Sequence, residues 1–168
     1  MNFTIKTRLL VALAATALML AGGAMAAPVS VSAVMDPQEQ MRFEMGDGTP
    51  HFVLAVRREG VSEGEGVLAG AKVTEFGWHD IQPPLGGDPR GYLRFEAENG
   101  DVAILKFTVR AVFMKGADKP ALHDDGFWEL VSGTGQFADK RGVGALKIEP
   151  AGDPKRLFSL TGEIGEKP

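Results

Sequence analysis

Residues 91–114 constrain the fold of this chain more than any other stretch. In residues 101–114 (DVAILKFTVRAVFM) the odd positions Ala103, Leu105, Phe107, Val109, Ala111 and Phe113 are apolar without a break. Lys106, Thr108 and Arg110 fall between them. Side chains alternate faces along a strand, so this is a strand with one face buried. Residues 91–98 (GYLRFEAE) alternate in the same way, and Asn99-Gly100 joins the two runs. Asn-Gly between alternating runs is a hairpin signal, because both residues accept the positive φ of a tight turn.

Shorter runs repeat this grammar at 40–45, 51–58, 66–78, 126–133, 142–148 and 156–164. Turn-rich segments separate them, at 46–50 (GDGTP), at 60–64 (GVSEG) and at 150–154 (PAGDP). Helical periodicity is nearly absent. Eight strands at regular spacing with glycine-rich turns predict an all-β fold, an eight-stranded antiparallel barrel in which closure removes the sheet edges. Residues 79–90 (HDIQPPLGGDPR) form the longest irregular stretch, either a plain connection or a loop over one mouth of the barrel.

Residues 1–26 have the parts of a cleaved export signal. Lys6 and Arg8 precede the apolar run 9–20 (LLVALAATALML), and Ala24-Met25-Ala26 offers small residues where a signal peptidase reads. The apolar run is short for a membrane span of about 20 residues, and Gly22-Gly23 closes it. The expected organisation is a signal peptide at 1–26, an extended segment at 27–39 and a barrel domain at 40–168. The product would be exported, periplasmic or secreted. The chain has no cysteine, which excludes disulfides, thiolate metal sites, a cysteine nucleophile and a lipoprotein anchor. Its formal charge is -4, and losing Lys6 and Arg8 makes the remainder more acidic. That balance, without a basic cluster, argues against nucleic acid and anionic membranes as partners.

The segment 128–144 (WELVSGTGQFADKRGVG) carries Gly-Thr-Gly-x-Phe-Ala followed by Gly-x-Gly. It resembles the hairpin motif of the allene oxide cyclase and dirigent-like barrels, and that of small bacterial barrel domains in the same group. The resemblance covers under a fifth of the chain beyond the leader. It implies an eight-stranded antiparallel barrel with an apolar cavity and carries no catalytic residue across. Within the motif, Gly133 and Gly135 would supply positive φ or close backbone approach, and Phe137 would plug a barrel end. Gly142 and Gly144 would let the next strand bend or pass a bulky neighbour. A phosphate cradle needs a helix N-terminus behind its glycines, whereas residues 143–148 (VGALKI) are strand-forming.

Imidazole and carboxylate adjoin only at His79-Asp80 and His123-Asp124-Asp125. Both pairs sit beside turn residues, and strand neighbours point to opposite faces, so they read as solvated loop residues rather than metal ligands. No metal or cofactor is expected. Ser132-Gly133-Thr134-Gly135 lacks the strand-to-helix setting of a nucleophile elbow. The aromatic residues spread over most strands, and about half should point into a closed barrel. An interior of this size is either just filled or holds one small ligand. If hollow, it would take its polar handles from Trp78, Tyr92, Arg94, Trp128 and Glu129. Tyr92, Arg94 and Glu96 share a face that would equally suit a salt-bridged exterior.

Three functions fit. The first is a non-catalytic exported barrel that binds a small apolar or amphipathic molecule. The second is a cyclase- or isomerase-like enzyme acting in the cavity. The third is a structural or partner-binding envelope protein. A hollow interior favours the first two, and buried ionisable groups within it favour the enzyme.

Overall fold

The hairpin across Asn99-Gly100 forms as its alternation requires. In the computed structural model, which describes residues 26–116 and 120–168, strands β5 (Arg90–Glu96) and β6 (Val102–Met114) pair with Leu93 opposite Leu105 and Phe95 opposite Ala103. Residues 1–25, which carry the export-leader reading, lie outside the described residues.

The other strands are β1 (Ala27–Glu44), β2 (Phe52–Glu65), β3 (Lys72–Gln82), β4 (Gly86–Gly87), β7 (Ala121–Gly133), β8 (Lys140–Pro150) and β9 (Arg156–Glu166). Each long strand pairs antiparallel with its neighbours around the ring β1-β2-β3-β5-β6-β7-β8-β9. Pairing of β9 with β1 closes it, from Ala27 opposite Ile164 to Met35 opposite Arg156. The result is a closed eight-stranded antiparallel barrel. The ninth strand, β4, is a two-residue bridge between β3 and β6, beside the start of β5. Among the described residues the only helical element is a single 3-10 turn (Gly135–Phe137), and no helix is long and apolar enough to cross a membrane.

The boundaries differ from expectation in several places: β7 starts at Ala121 rather than 126, and β1 and β2 differ most. Residues 27–39 are not a separate extended segment but most of β1, whose Val29, Val31, Ala33 and Met35 all point into the core. Small serines between short apolar residues made this alternation easy to overlook. The turn expected at 60–64 is strand, and the chain reverses at 66–71 instead. Gly60 and Gly64 lie where β2 crosses close to the β1 backbone. Ser62 holds the true turn from inside, its hydroxyl donating to the Leu68 carbonyl and accepting the Ala71 N–H at 3.0 Å.

One end of the barrel is sealed. Leu68 from the β2–β3 turn and Phe137 from the 3-10 turn are both buried there, joining a core that includes Leu93, Phe95, Leu105, Leu130 and Leu160. Trp128 fills the middle of this half and donates its indole N–H to the Thr161 carbonyl at 3.2 Å. Its ring fits because Gly144 and Gly162 face it: a Cβ at either would come within 2.6–2.7 Å of the indole. Within the β7–β8 segment the glycines also lie at close approaches. Gly135 takes φ +50, and a Cβ on Gly133 would meet that of Phe137 at 2.4 Å.

The opposite end is built differently. Beyond Met35, β1 leaves β9 and continues with β2 alone, with a register shift between Pro37 and Glu39. Among the described residues no side chain closes this end as Leu68 and Phe137 close the other, and a cavity lies there instead.

Candidate functional site

The inward face of β3 reads Val73, Glu75, Gly77, His79, Ile81 in steps of two. That of β2 includes Val56 and Arg58, and that of β7 includes Asp124, Trp128 and Leu130. Pairing of Arg58 with Glu75 across β2–β3 therefore brings both side chains inside. Arg58 donates from Nη1 to Glu75 Oε2 at 2.6 Å, and His79 Nε2 lies 2.9 Å from Glu75 Oε1. Glu75 is fully buried, while Arg58, His79 and Asp124 are each about 5–6% exposed. Gly77 makes the arrangement possible, because a Cβ there would lie 2.4 Å from Glu75 Oε1 and 2.5 Å from His79 Nε2.

Two carboxylates in this set are pushed in opposite directions. Burial raises the Glu75 carboxyl, but the hydrogen bond and charge of His79, with Arg58 beside it, outweigh that and leave it below its ordinary value. Burial also raises Asp124, and the more distant charges of His79, Arg156 and Arg58 do not offset it. Asp124 therefore holds its proton to higher pH than an ordinary aspartate. Burial lowers the half-buried Arg156, and Arg58 adds to that. Two buried polar atoms of the set have no partner among the described residues: Arg58 Nε, a donor, and Asp124 Oδ1, an acceptor. Unpaired buried polar atoms are costly and are rare without a functional or hydration role.

Above this set lies the open end. A cavity of about 830 Å³ is lined by Phe52, Ile81, Phe113, Leu122 and several prolines, with Arg156 at its edge. Ile81 and Leu122 are each two residues from His79 and Asp124 on the same inward faces, so the charged set sits one side-chain layer below the cavity. The arrangement can take an apolar body in the mouth and present charge and hydrogen-bonding groups to one end of it. Among the described residues no group of three or more His, Asp or Glu is placed to hold a metal ion.

The residues expected to line a cavity are mostly elsewhere. Trp78, Tyr92 and Glu129 are exposed on the outer face, and Arg94 also points outward, pairing with Glu96 at 2.6 Å. Strand parity is the reason. On β3 and β5 the odd positions point inward, and on β7 the even ones do, so of the five only Trp128 is inside. Even Trp128 belongs to the packed half rather than to the mouth. Conversely, His79 and Asp124 are not solvated loop residues. They lie on strands and face inward, and the carboxylates next to them in sequence, Asp80 and Asp125, point outward. The signal was present in the period-two rows Val73/Glu75/Gly77/His79/Ile81 and Leu122/Asp124/Gly126/Trp128. Ordinary burial preference, which keeps Arg, Glu and Asp outside, argued against reading it.

Residues 79–90 are only partly a loop. β3 runs on to Gln82, and Gly86–Gly87 rejoins the sheet, leaving Pro83-Pro84-Leu85 as the turn.

No protein-family model matches this chain, and no curated protein matches it. Among solved structures, the crystal structure of a conserved protein of unknown function from Rhodopseudomonas palustris is similar to it with a TM-score of 0.46 and 11% identity, over 84% of this chain and 97% of the other.

Proposed function

We propose that this protein is an exported barrel that binds a small apolar or amphipathic molecule at its open end. The ligand's apolar body would rest against Phe52, Phe113 and Leu122, with its polar end toward Arg156 and the charged set beneath. One observation carries this reading: an apolar mouth of about 830 Å³ that leads to a buried donor and a buried acceptor without partners among the described residues. The volume falls in the range of small-molecule sites, which are mostly apolar with a few converging polar groups. The resemblance of the 128–144 segment to cavity-bearing barrels agrees with it.

Native mass spectrometry of the protein purified from its own cells tests the proposal. A bound mass should be present in the wild type and lost in Phe113→Asp. A wild type that carries no mass, and gains none from a panel of fatty acids and aromatic acids, would sink it. The same spectra test export, since Ala27 should be the N-terminal residue; intact Met1 to Pro168 in washed membranes would contradict that.

The buried Glu75–His79 pair favours a second reading, acid–base catalysis on the bound molecule. Here His79, oriented by Glu75, would accept a proton, and Asp124, held protonated to higher pH, would donate one. Incubating the eluted ligand with ligand-free protein separates the two readings. An unchanged ligand mass and retention time supports binding alone, and a new species that His79→Ala fails to make supports catalysis.

A further inference from the structure

The outer face of β2, β3, β5 and β6 carries a second concavity, on the outside of the barrel wall and distinct from the mouth. Its volume is about 700 Å³. Strand register builds it from two rows of outward side chains. One row runs Met41, Ala55, Trp78, Arg90, Thr108, and the next runs Glu39, Arg57, Phe76, Tyr92, Lys106. Phe76 and Tyr92 are direct cross-strand partners, and Trp78 is two residues along β3 from Phe76. Three rings therefore cluster on one face. They are 50%, 44% and 46% exposed for Phe76, Trp78 and Tyr92, so none of the described residues covers them fully.

The charge around these rings is uneven. Arg57 is bound by Glu39 and Glu59. Among the described residues no carboxylate forms an ion pair with Arg90 or Lys106, although Glu129 faces Lys106 across β6–β7. In a chain with net negative charge, Arg90 and Lys106, neither in an ion pair among the described residues, give one rim of this site positive charge beside an apolar floor of three rings. A cation at the rim of an aromatic surface attracts an anion, and the rings take the flat face of a π-system. Clustered exposed apolar residues with a polar rim mark interaction sites on soluble proteins.

We propose that this outer face is a second binding site, for a small planar aromatic anion such as an aromatic carboxylate or sulfonate. Phe76, Trp78 and Tyr92 take the ring, and Arg90 and Lys106 take the charge. The site stands apart from the mouth and does not depend on what the mouth binds.

Calorimetric titration of the full barrel domain with naphthalene-2-sulfonate tests it, with neutral 2-naphthol as the comparison. One sulfonate should bind at this face per chain, at least tenfold more tightly than the naphthol, and added NaCl should weaken it because the charges are exposed. Trp78→Ala should cost about tenfold, and the double change Arg90→Ala/Lys106→Ala should remove most of the preference for the anion. Arg156→Ala, at the mouth, should leave this binding unchanged. The side chains of the outer face are exposed and Arg156 is half-buried, so melting temperatures near that of wild type confirm that each variant is folded, and Tyr92→Ala serves as a second probe of the ring surface. Equal affinity for sulfonate and naphthol would overturn the proposal. So would loss of binding in Arg156→Ala with Trp78→Ala unaffected, since the probe would then sit in the mouth. A wild-type dimer that Trp78→Ala converts to monomer would show instead that a second copy covers this face.

Discussion

The two halves of this barrel are held by different physics. The sealed half is a packed apolar core closed by Leu68 and Phe137, with Trp128 set among glycines. The open half has charges at its centre, Arg58, Glu75, His79 and Asp124, and an apolar cavity above them. Apolar packing draws on every neighbour a little. A buried charge draws on one or two partners heavily, and removing one leaves the others uncompensated. The halves should therefore fail differently when damaged.

The largest effect should come from splitting the charged set. Glu75→Ala strands Arg58 and His79, a loss on the order of 3–5 kcal/mol. Trp128→Ala should cost a similar amount, about 3–5 kcal/mol, through the cavity it leaves. What separates the halves is rescue. Glu75→Leu combined with Arg58→Met should recover much of the loss, because the Arg58 charge is no longer stranded and only His79 is left without its partner, whereas no polar change elsewhere should restore Trp128→Ala. Denaturant melts of the two singles and the double measure this. If the double is as unstable as Glu75→Ala, the set is not held by charge compensation.

Next in size is the glycine turn at the sealed end. Gly135 has positive φ, and a Cβ there would lie within 1.8 Å of the Asp101 carboxylate, which accepts the Gln136 N–H at 2.9 Å. Gly133 has no room for a Cβ beside Phe137. Gly→Val at either should cost roughly 1–3 kcal/mol or more, as backbone strain at Gly135 and as overpacking against Phe137 at Gly133. Phosphate should not change the melting temperature of wild type or variant. Phosphate protection of the wild type, with stable variants, would mean that the glycines bind an anion.

The smallest effect sharpens the comparison within the open half, because its two carboxylates should respond to pH with opposite sign. Glu75 is held below its ordinary value of 4.5, so its contribution is present above that pH and lost as pH falls through the folded value. Asp124 is held above its ordinary 3.8, so its contribution is present below 3.8 and lost as pH rises through the folded value. Asp124→Asn should therefore raise the melting temperature by up to a few degrees at neutral pH, on the scale of about 2–8 °C per kcal/mol. The gain should vanish toward pH 3. Glu75→Gln should do the reverse, with its deficit largest at neutral pH. Parallel pH profiles for the two variants would contradict the assignment.

The barrel was legible in the chain wherever a strand alternates strongly, as in β5 and β6, and the glycine motif was legible because backbone geometry leaves a local mark. The charged set was not. Reading it requires the pairing of β2 with β3, which places Arg58 opposite Glu75, and that register depends on contacts far apart in sequence. The aromatic residues misled for a related reason. Trp78 and Tyr92 are residue types that belong inside by composition, but parity with Glu75 and Leu93 turns them out. A one-residue change of register would exchange the two faces, so residue type alone could not decide between them.

The seam between β1 and β9 has a kinetic consequence. It joins residues roughly 120 to 140 positions apart in the chain, whereas the other long pairs join successive strands. Contacts of such long separation are slow to form, because chain entropy is spent before they reward it. The ring should zip from hairpin to hairpin and close last at this seam. Only residues 27–35 of β1 take part in the closure, at the end of a strand whose other half is already paired with β2. Pulse-labelled hydrogen exchange during refolding should show the β5–β6 amides protected before those of β9. Protection of both at the same rate would mean that the barrel forms in one concerted step.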